Sequence, residues 1–224
     1  MNQVTPTYAR TATRSVEINR VLRNTYALLA ITLLFSAVCA GASMALNLPY
    51  PGVLITLVGY FGLLMLVTKF RNSAMGLVFL FALTGFMGAT LGPILNAYVG
   101  HYANGGQLVM TALGGTGLTF MGLSAYALVS RRDFSFLGGM LSAGILVAFL
   151  ASLAALFIPG LPALSLAVSA MFVMLMAGMM LYQTSEIIHG GETNYIMATL
   201  SLYIAIYNMF TSLLQLLGVM SSDD

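Results

Sequence analysis

Seven long apolar stretches, each closed by a short run of charged, proline- or glycine-containing residues, make up most of the chain. They cover residues 26–46, 51–68, 73–95, 107–129, 136–158, 162–183 and 195–219, and none contains Asp, Glu, Lys, Arg or His. A helix needs about 20 predominantly apolar residues to cross the hydrocarbon core of a bilayer, and each stretch is close to that length. Only helices and closed barrels satisfy every backbone polar group inside lipid. Runs of this length without period-two alternation do not read as barrel strands. The pattern predicts an all-α polytopic membrane protein, a seven-helix transmembrane bundle. Most boundaries carry charge. Two rest on turn residues instead, Asn47-Leu48-Pro49-Tyr50-Pro51 and Pro159-Gly160-Leu161-Pro162, where proline ends one helix and suits the first turn of the next. The polar segment His101-Tyr102-Ala103-Asn104-Gly105-Gly106 breaks the chain in the same way.

Composition supports this division. Of 224 residues 59% are hydrophobic and 6% charged, too little charge to cover a soluble fold, and the mean hydropathy is +0.95. Disordered chains are poor in apolar residues, so disorder is excluded by the opposite argument. The single cysteine, Cys39, cannot form an internal disulfide. It lies deep in an apolar run, as a buried small residue would, and not at a lipid-attachment site. Ala40-Gly41-Ala42 resembles a signal cleavage site, but the run before it is longer than a signal core. Three segments follow: residues 1–23, a basic, flexible cytoplasmic tail; residues 24–220, the bundle; and residues 221–224, a short acidic external end. With seven spans, all eight basic residues (Arg10, Arg14, Arg20, Arg23, Lys69, Arg71, Arg131 and Arg132) fall on one side. The positive-inside rule then places the amino terminus in the cytoplasm and the carboxyl terminus across the membrane.

Lipid gives helices no hydrophobic reason to meet, so small side chains that allow close approach mark packing faces. Ala37, Gly41 and Ala45 form such a stripe in the first span. Gly85, Gly88 and Gly92 form one in the third, Gly114, Gly115, Gly117 and Gly122 in the fourth, and Gly138, Gly139 and Gly144 in the fifth. The sixteen methionines read as adaptable core filler and not as metal ligands.

Little chemistry is available. No carboxylate pair lies at membrane depth for an aspartyl protease, no lysine for a retinal Schiff base, and no buried ionisable relay for a pump. His189-Gly190-Gly191-Glu192 has one histidine and lacks the pattern of a zinc site. No catalytic residue, metal or cofactor is expected, and the chain reads as neither enzyme nor nucleic-acid binder. The polar groups entering the spans are uncharged amides: Asn96, Gln183, Asn208 and Gln215. They suit interhelical hydrogen bonds or, alternatively, a polar path along spans six and seven. The segment from Ser185 to Asn194 is acidic on a side that is otherwise basic. Glu186 and Glu192 there, with His189, suggest a latch of weak surface pairs to Arg131 and Arg132 or to Lys69 and Arg71.

Tyr182-Gln183-Thr184-Ser185-Glu186-Ile187-Ile188, Tyr195-Ile196 and Leu202-Tyr203-Ile204-Ala205-Ile206-Tyr207-Asn208-Met209-Phe210 resemble the signature of the Bax-inhibitor (TMBIM-type) membrane family. A likeness to a bacterial branch of that family runs through Gly92-Pro93-Ile94-Leu95-Asn96, Ser135-Phe136-Leu137-Gly138-Gly139 and Ile188-His189-Gly190-Gly191-Glu192-Thr193-Asn194. The resemblance implies a bundle whose seventh helix is enclosed by the others. In the wider family it also implies a pH-sensitive calcium leak governed by two aspartates, on helices six and seven. Those places hold Gln183 and Ala205, which cannot ionise, so the leak is the alternative and not the first reading. The bacterial likeness implies an inner-membrane regulator that associates with the FtsH protease complex and restrains it as a competing or slow substrate. Arg10, Arg14 and Glu17 lie in the polar segment such a protease would engage. The bilayer is the other expected partner, and nothing in the residues sets an oligomeric state.

Overall fold

The structure is a computed structural model that describes residues 7–157 and 162–221. Its elements are seven α-helices: α1 (Thr7–Ala45), α2 (Val53–Lys69), α3 (Ala74–His101), α4 (Gly105–Ser130), α5 (Leu137–Phe157), α6 (Pro162–His189) and α7 (Tyr195–Met220). There is no strand among the described residues. Six of the helices are long and apolar enough to cross a membrane. The exception is α2, whose 17 residues rise about 25 Å, at the short end of what spans a bilayer. Six full-length candidate spans plus one short apolar helix therefore replace the seven equivalent spans read from the sequence. The turn at residues 159–161 and the acidic end beyond Ser221 lie outside the described residues.

Three boundaries move. The first helix begins at Thr7, so the polar segment ahead of residue 24 continues the helix where a flexible tail was expected. α3 passes through Pro93 to His101, and α6 runs beyond Gln183 to His189. Ser185, Glu186 and His189 therefore stand on the last turns of α6, and the connection to α7 shortens to residues 190–194.

Pro93 shows how a helix survives an internal proline in an apolar setting. Proline has no N–H, so the carbonyl four residues earlier loses its helical partner. That carbonyl belongs to Ala89, and the Ser43 hydroxyl of α1 donates to it at 2.7 Å. A neighbouring helix thus re-satisfies the freed backbone group. The two helices can come this close because α3 is glycine-lined. A Cβ at Gly88 would strike the Ser36 carbonyl, and one at Gly92 would strike Ser43 and the Ala40 carbonyl.

The α1 face in this contact is Ser36, Ala40 and Ser43, all buried. It is not the expected stripe of Ala37, Gly41 and Ala45, which is exposed. Both sets repeat at helical spacing, and only the partner decides between them. Most of the α4 glycines likewise meet no neighbour: Gly114, Gly117 and Gly122 have open space, and only Gly115 touches α7, at Leu213. On α5, Gly138 packs against Tyr182 and Gly144 against Leu175, whereas Gly139 is open.

α7 packs against α1, α3, α4 and α6, while α2 leans mainly on α3 and α5 on α6. Tyr203 of α7 is 1% exposed. Its hydroxyl donates to the Thr84 carbonyl of α3 at 3.2 Å and accepts from Ser36 of α1 at 2.7 Å, joining three helices in the apolar core. Met176, Met180 and Met209 pack with Ala205 between α6 and α7, so these methionines fill core as expected, while Met174 points outward. Leu34, Val38, Leu54, Val58 and Leu118 cover the outer surface with apolar side chains, as contact with lipid chains requires.

Candidate functional site

One end of the bundle gathers the basic residues. Its organiser is the segment after α6. Gly190 takes a left-handed conformation (φ +75°) that ends the helix without a Cβ penalty. The Gly191 N–H then returns to the Glu186 carbonyl at 2.8 Å. A Cβ at Gly191 would run into the Glu186 carboxylate, so both glycines have a steric reason. Asn194 caps α7: its Oδ1 accepts from the Ile196 and Met197 N–H groups at 2.9 and 3.1 Å. Its Nδ2 donates to the Arg71 carbonyl and to Asn72 Oδ1, both at 2.9 Å, tying α7 to the α2–α3 connection.

The α4–α5 connection is tied in from the other side. His189 Nε2 lies 3.1 Å from the Arg131 carbonyl, and its Nδ1 lies 2.9 Å from the Ser185 carbonyl of its own helix. Ser185 Oγ accepts from the Phe134 N–H at 3.0 Å and lies 3.3 Å from the Arg132 carbonyl. Within that loop Asp133 accepts from the Ser135 N–H, which holds its carboxyl below the usual carboxylate range. Arg131 itself is left-handed, at φ +49°.

The three connections are thus joined through His189, Ser185 and Asn194, meeting backbone carbonyls and amides. Glu192 turns onto its own loop, where Oε1 accepts from the Asn194 N–H at 2.7 Å. A cavity of about 550 Å³ separates this loop from α1 and is lined by Glu17, Arg20, Asn24, Glu192, Thr193 and Tyr195, among others. Glu17 and Glu192 both line it, on opposite elements. Arg10 and Arg14 lie on the first turns of α1, and their side chains fall outside the described residues.

At membrane depth the four amides part company. Gln215 crosslinks α7 to α6, its Oε1 accepting from Ser169 at 2.8 Å and its Nε2 donating to Ser165. Asn96 sits at the opposite end from the basic loops. It donates to the Met44 carbonyl at 3.1 Å and to Asn47 Oδ1 at 3.4 Å, beside the Asn47 N–H that closes the end of α1 on the same carbonyl. Asn208 donates to the Ile204 carbonyl of its own helix at 2.9 Å. Gln183 and Ala205 are both buried. Ala205 lines a second, larger cavity of about 730 Å³ between α2, α3, α5, α6 and α7, together with Asn208 and Gln215 but without Gln183.

Sequence reasoning missed Asn194, Asn72, Ser185 and the Tyr203–Ser36 pair. Asn194 carried a readable signal, an asparagine directly before an apolar run, the usual mark of a helix cap.

The family described as "Inhibitor of apoptosis-promoting Bax1" matches residues 18–222, which take in α1 from Ile18 onward and all of α2 to α7. The chain belongs to the Bax inhibitor family. Among its relatives, an uncharacterized protein of Pseudomonas aeruginosa is 56% identical over 208 residues, 93% of each chain. A protein of Escherichia coli K12 named modulator of FtsH protease YccA is 53% identical over 211 residues, 94% of this chain and 95% of the relative. Its equal in Escherichia coli O6:H1 is named inner membrane protein YccA. These alignments cover nearly the whole of each chain; the loop hub and the larger cavity of this Bax inhibitor family member fall within residues 18–222, as does the smaller cavity except for Glu17.

Proposed function

We propose that this protein is an inner-membrane regulator that associates with an FtsH-type protease complex and restrains its degradation of membrane substrates, acting as a competing or slow substrate. It is a binding protein in this reading and not an enzyme. The observation that carries it is 53% identity over nearly the full length to a protein named modulator of FtsH protease. Seven spans, a cytoplasmic amino terminus, a periplasmic carboxyl terminus and an α7 enclosed by its neighbours belong to the same proposal. Two features support the topology: every described basic loop meets at one end of the bundle, and α7 touches four other helices.

The engaged element is residues 1–23, including Arg10, Arg14 and Glu17. From Thr7 this stretch is helical, and residues 7–23 mix strong helix formers (alanine, arginine, glutamate and leucine) with three threonines, a serine, an asparagine, two valines and an isoleucine, which favour a helix less. A short helix of such composition is marginal on its own, and a pulling protease unwinds it at small cost. The segment would thus start engagement, and the hydrogen-bonded bundle behind it would resist unfolding. In the test, residues 2–15 are removed and the purified protease is assayed both for turnover of this protein and for degradation of a second membrane substrate. Loss of turnover and of restraint together is expected. Unchanged turnover refutes engagement through this segment, and unchanged restraint with lost turnover refutes competition as the means.

The charge latch is a second part of the proposal. Glu192→Lys should weaken restraint, and Arg131→Glu or Arg132→Glu should partly recover it. No recovery from either reversal refutes the latch.

A further inference from the structure

The 730 Å³ cavity has a construction that regulation of a protease does not use. Along α7 its lining residues are Ser201, Ala205, Asn208, Ser212 and Gln215 with their neighbours, one face of the helix running for 14 residues, about 21 Å. The α2 and α5 walls are mixed, with Leu57, Phe61, Leu146 and Phe149 beside Thr56, Tyr60, Ser142 and Ser152. The cavity therefore combines hydrogen-bonding groups with apolar side chains, both at membrane depth.

Its polar side is not saturated. The hydroxyls of Ser201 and Ser212 have no hydrogen-bond partner among the described residues. The Asn208 amide donates only to its own helix, which leaves its carbonyl oxygen as an acceptor. A polar group kept from water at membrane depth is costly unless something pairs with it.

The outer walls of the cavity lie at the lipid-facing surface. α2 is held mainly by α3 and α5 by α6, and between α2 and α5 the rings of Phe61 and Phe149 meet edge to face, with centroids 5.9 Å apart. Phe61 is 43% exposed and Leu146 59%, and Leu54, Val58 and Leu150 of the same helices are exposed as well.

Size and charge select the occupant. Small-molecule sites span about 300–1,000 Å³, and this cavity falls within that range. The lining holds no Asp, Glu, Lys, Arg or His. An ion or a charged headgroup would lose its hydration there and gain no counter-charge.

We propose that this cavity is a binding site for an uncharged, bilayer-dissolved lipid bearing hydroxyl or ester oxygens. The lipid enters between α2 and α5, its oxygens pair with Ser201, Asn208 and Ser212, and its chain lies against Phe61, Leu146 and Phe149. The inference is independent of any protease partner.

The chain contains no tryptophan, so one introduced tryptophan reports a single place. Phe172→Trp puts it in the cavity wall, and Leu34→Trp puts it on the outward face of α1, where Leu34 is 68% exposed. Each variant is reconstituted in phosphatidylcholine vesicles and titrated with dibrominated diacylglycerol, or separately with dibrominated phosphatidylglycerol. The neutral probe should quench Phe172→Trp saturably, at a mole fraction at least fivefold lower than it quenches Leu34→Trp. Ser201→Ala/Ser212→Ala should remove most of that difference, as should Asn208→Leu, each with the helical circular dichroism of the parent. Equal, unsaturable quenching at both tryptophans overturns the proposal. So does saturable quenching of Phe172→Trp by phosphatidylglycerol at the same mole fraction, or indifference to both sets of substitutions.

Discussion

Removing the Ser43 hydroxyl should destabilise the bundle, and by an amount that depends on Pro93. In the native protein the Ala89 carbonyl has lost its helical donor to Pro93, and its partner is Ser43 at 2.7 Å, on a residue 1% exposed. Ser43→Ala leaves that carbonyl unpaired. A buried unsatisfied acceptor costs about 1–3 kcal/mol, and interhelical hydrogen bonds in membranes average about 0.6 kcal/mol with a maximum near 1.7. About 1–2 kcal/mol is therefore expected. In a Pro93→Ala background residue 93 regains its N–H and serves Ala89 from within the helix. Ser43→Ala should then cost about 0.5 kcal/mol or less. The double-mutant cycle predicts a coupling near 1 kcal/mol between two side chains that do not hydrogen-bond to each other. Reversible unfolding by sodium dodecyl sulfate in mixed micelles, followed by far-ultraviolet circular dichroism, measures all four variants. The same loss from Ser43→Ala in both backgrounds would refute the assignment of Ser43 as the replacement donor.

Gly88→Ala should cost about 1–3 kcal/mol in the same assay, because its Cβ meets the Ser36 backbone, which has no rotamer to yield; Gly117→Ala, with open space around it, should be neutral. Asn194→Ala removes both the α7 cap and the tie to Arg71 and Asn72, and should lose about 2–3 kcal/mol. Asn194→Ser keeps a capping oxygen and should recover about 1 kcal/mol of this, so equal losses would show that the cap contributes nothing. In liposomes, calcium flux through the native protein should stay at background at neutral and acidic pH, because Gln183 and Ala205 cannot ionise. Native flux matching that of Gln183→Asp/Ala205→Asp would favour a leak channel over a regulator.

Helix number, order and most boundaries were legible in the residues because lipid imposes a length and forbids uncompensated charge. Apolar runs and clustered charges therefore map directly onto elements, and the second stretch falls short of a full span for the same reason of length. The family was legible too, in strings around Gln183, Gly190 and Ala205. The choice of packing face was not. Ala37, Gly41 and Ala45 repeat as regularly as Ser36, Ala40 and Ser43, and local spacing carries no record of which side α3 occupies. The loop hub was half visible: the charges of Glu192 and Arg131 drew attention, yet the bonds that close it run from His189, Ser185 and Asn194 to backbone groups, and backbone carbonyls look alike in every residue. The cavity was the least visible, since Ser201, Asn208 and Ser212 line one space only together with residues of α2, α3, α5 and α6 that are far away in the chain. Sequence alone determined which segments enter the membrane, because that depends on transfer of each residue from water. Tertiary structure alone decided which polar groups pair and which remain open, because that depends on the relative placement of helices far apart in the chain.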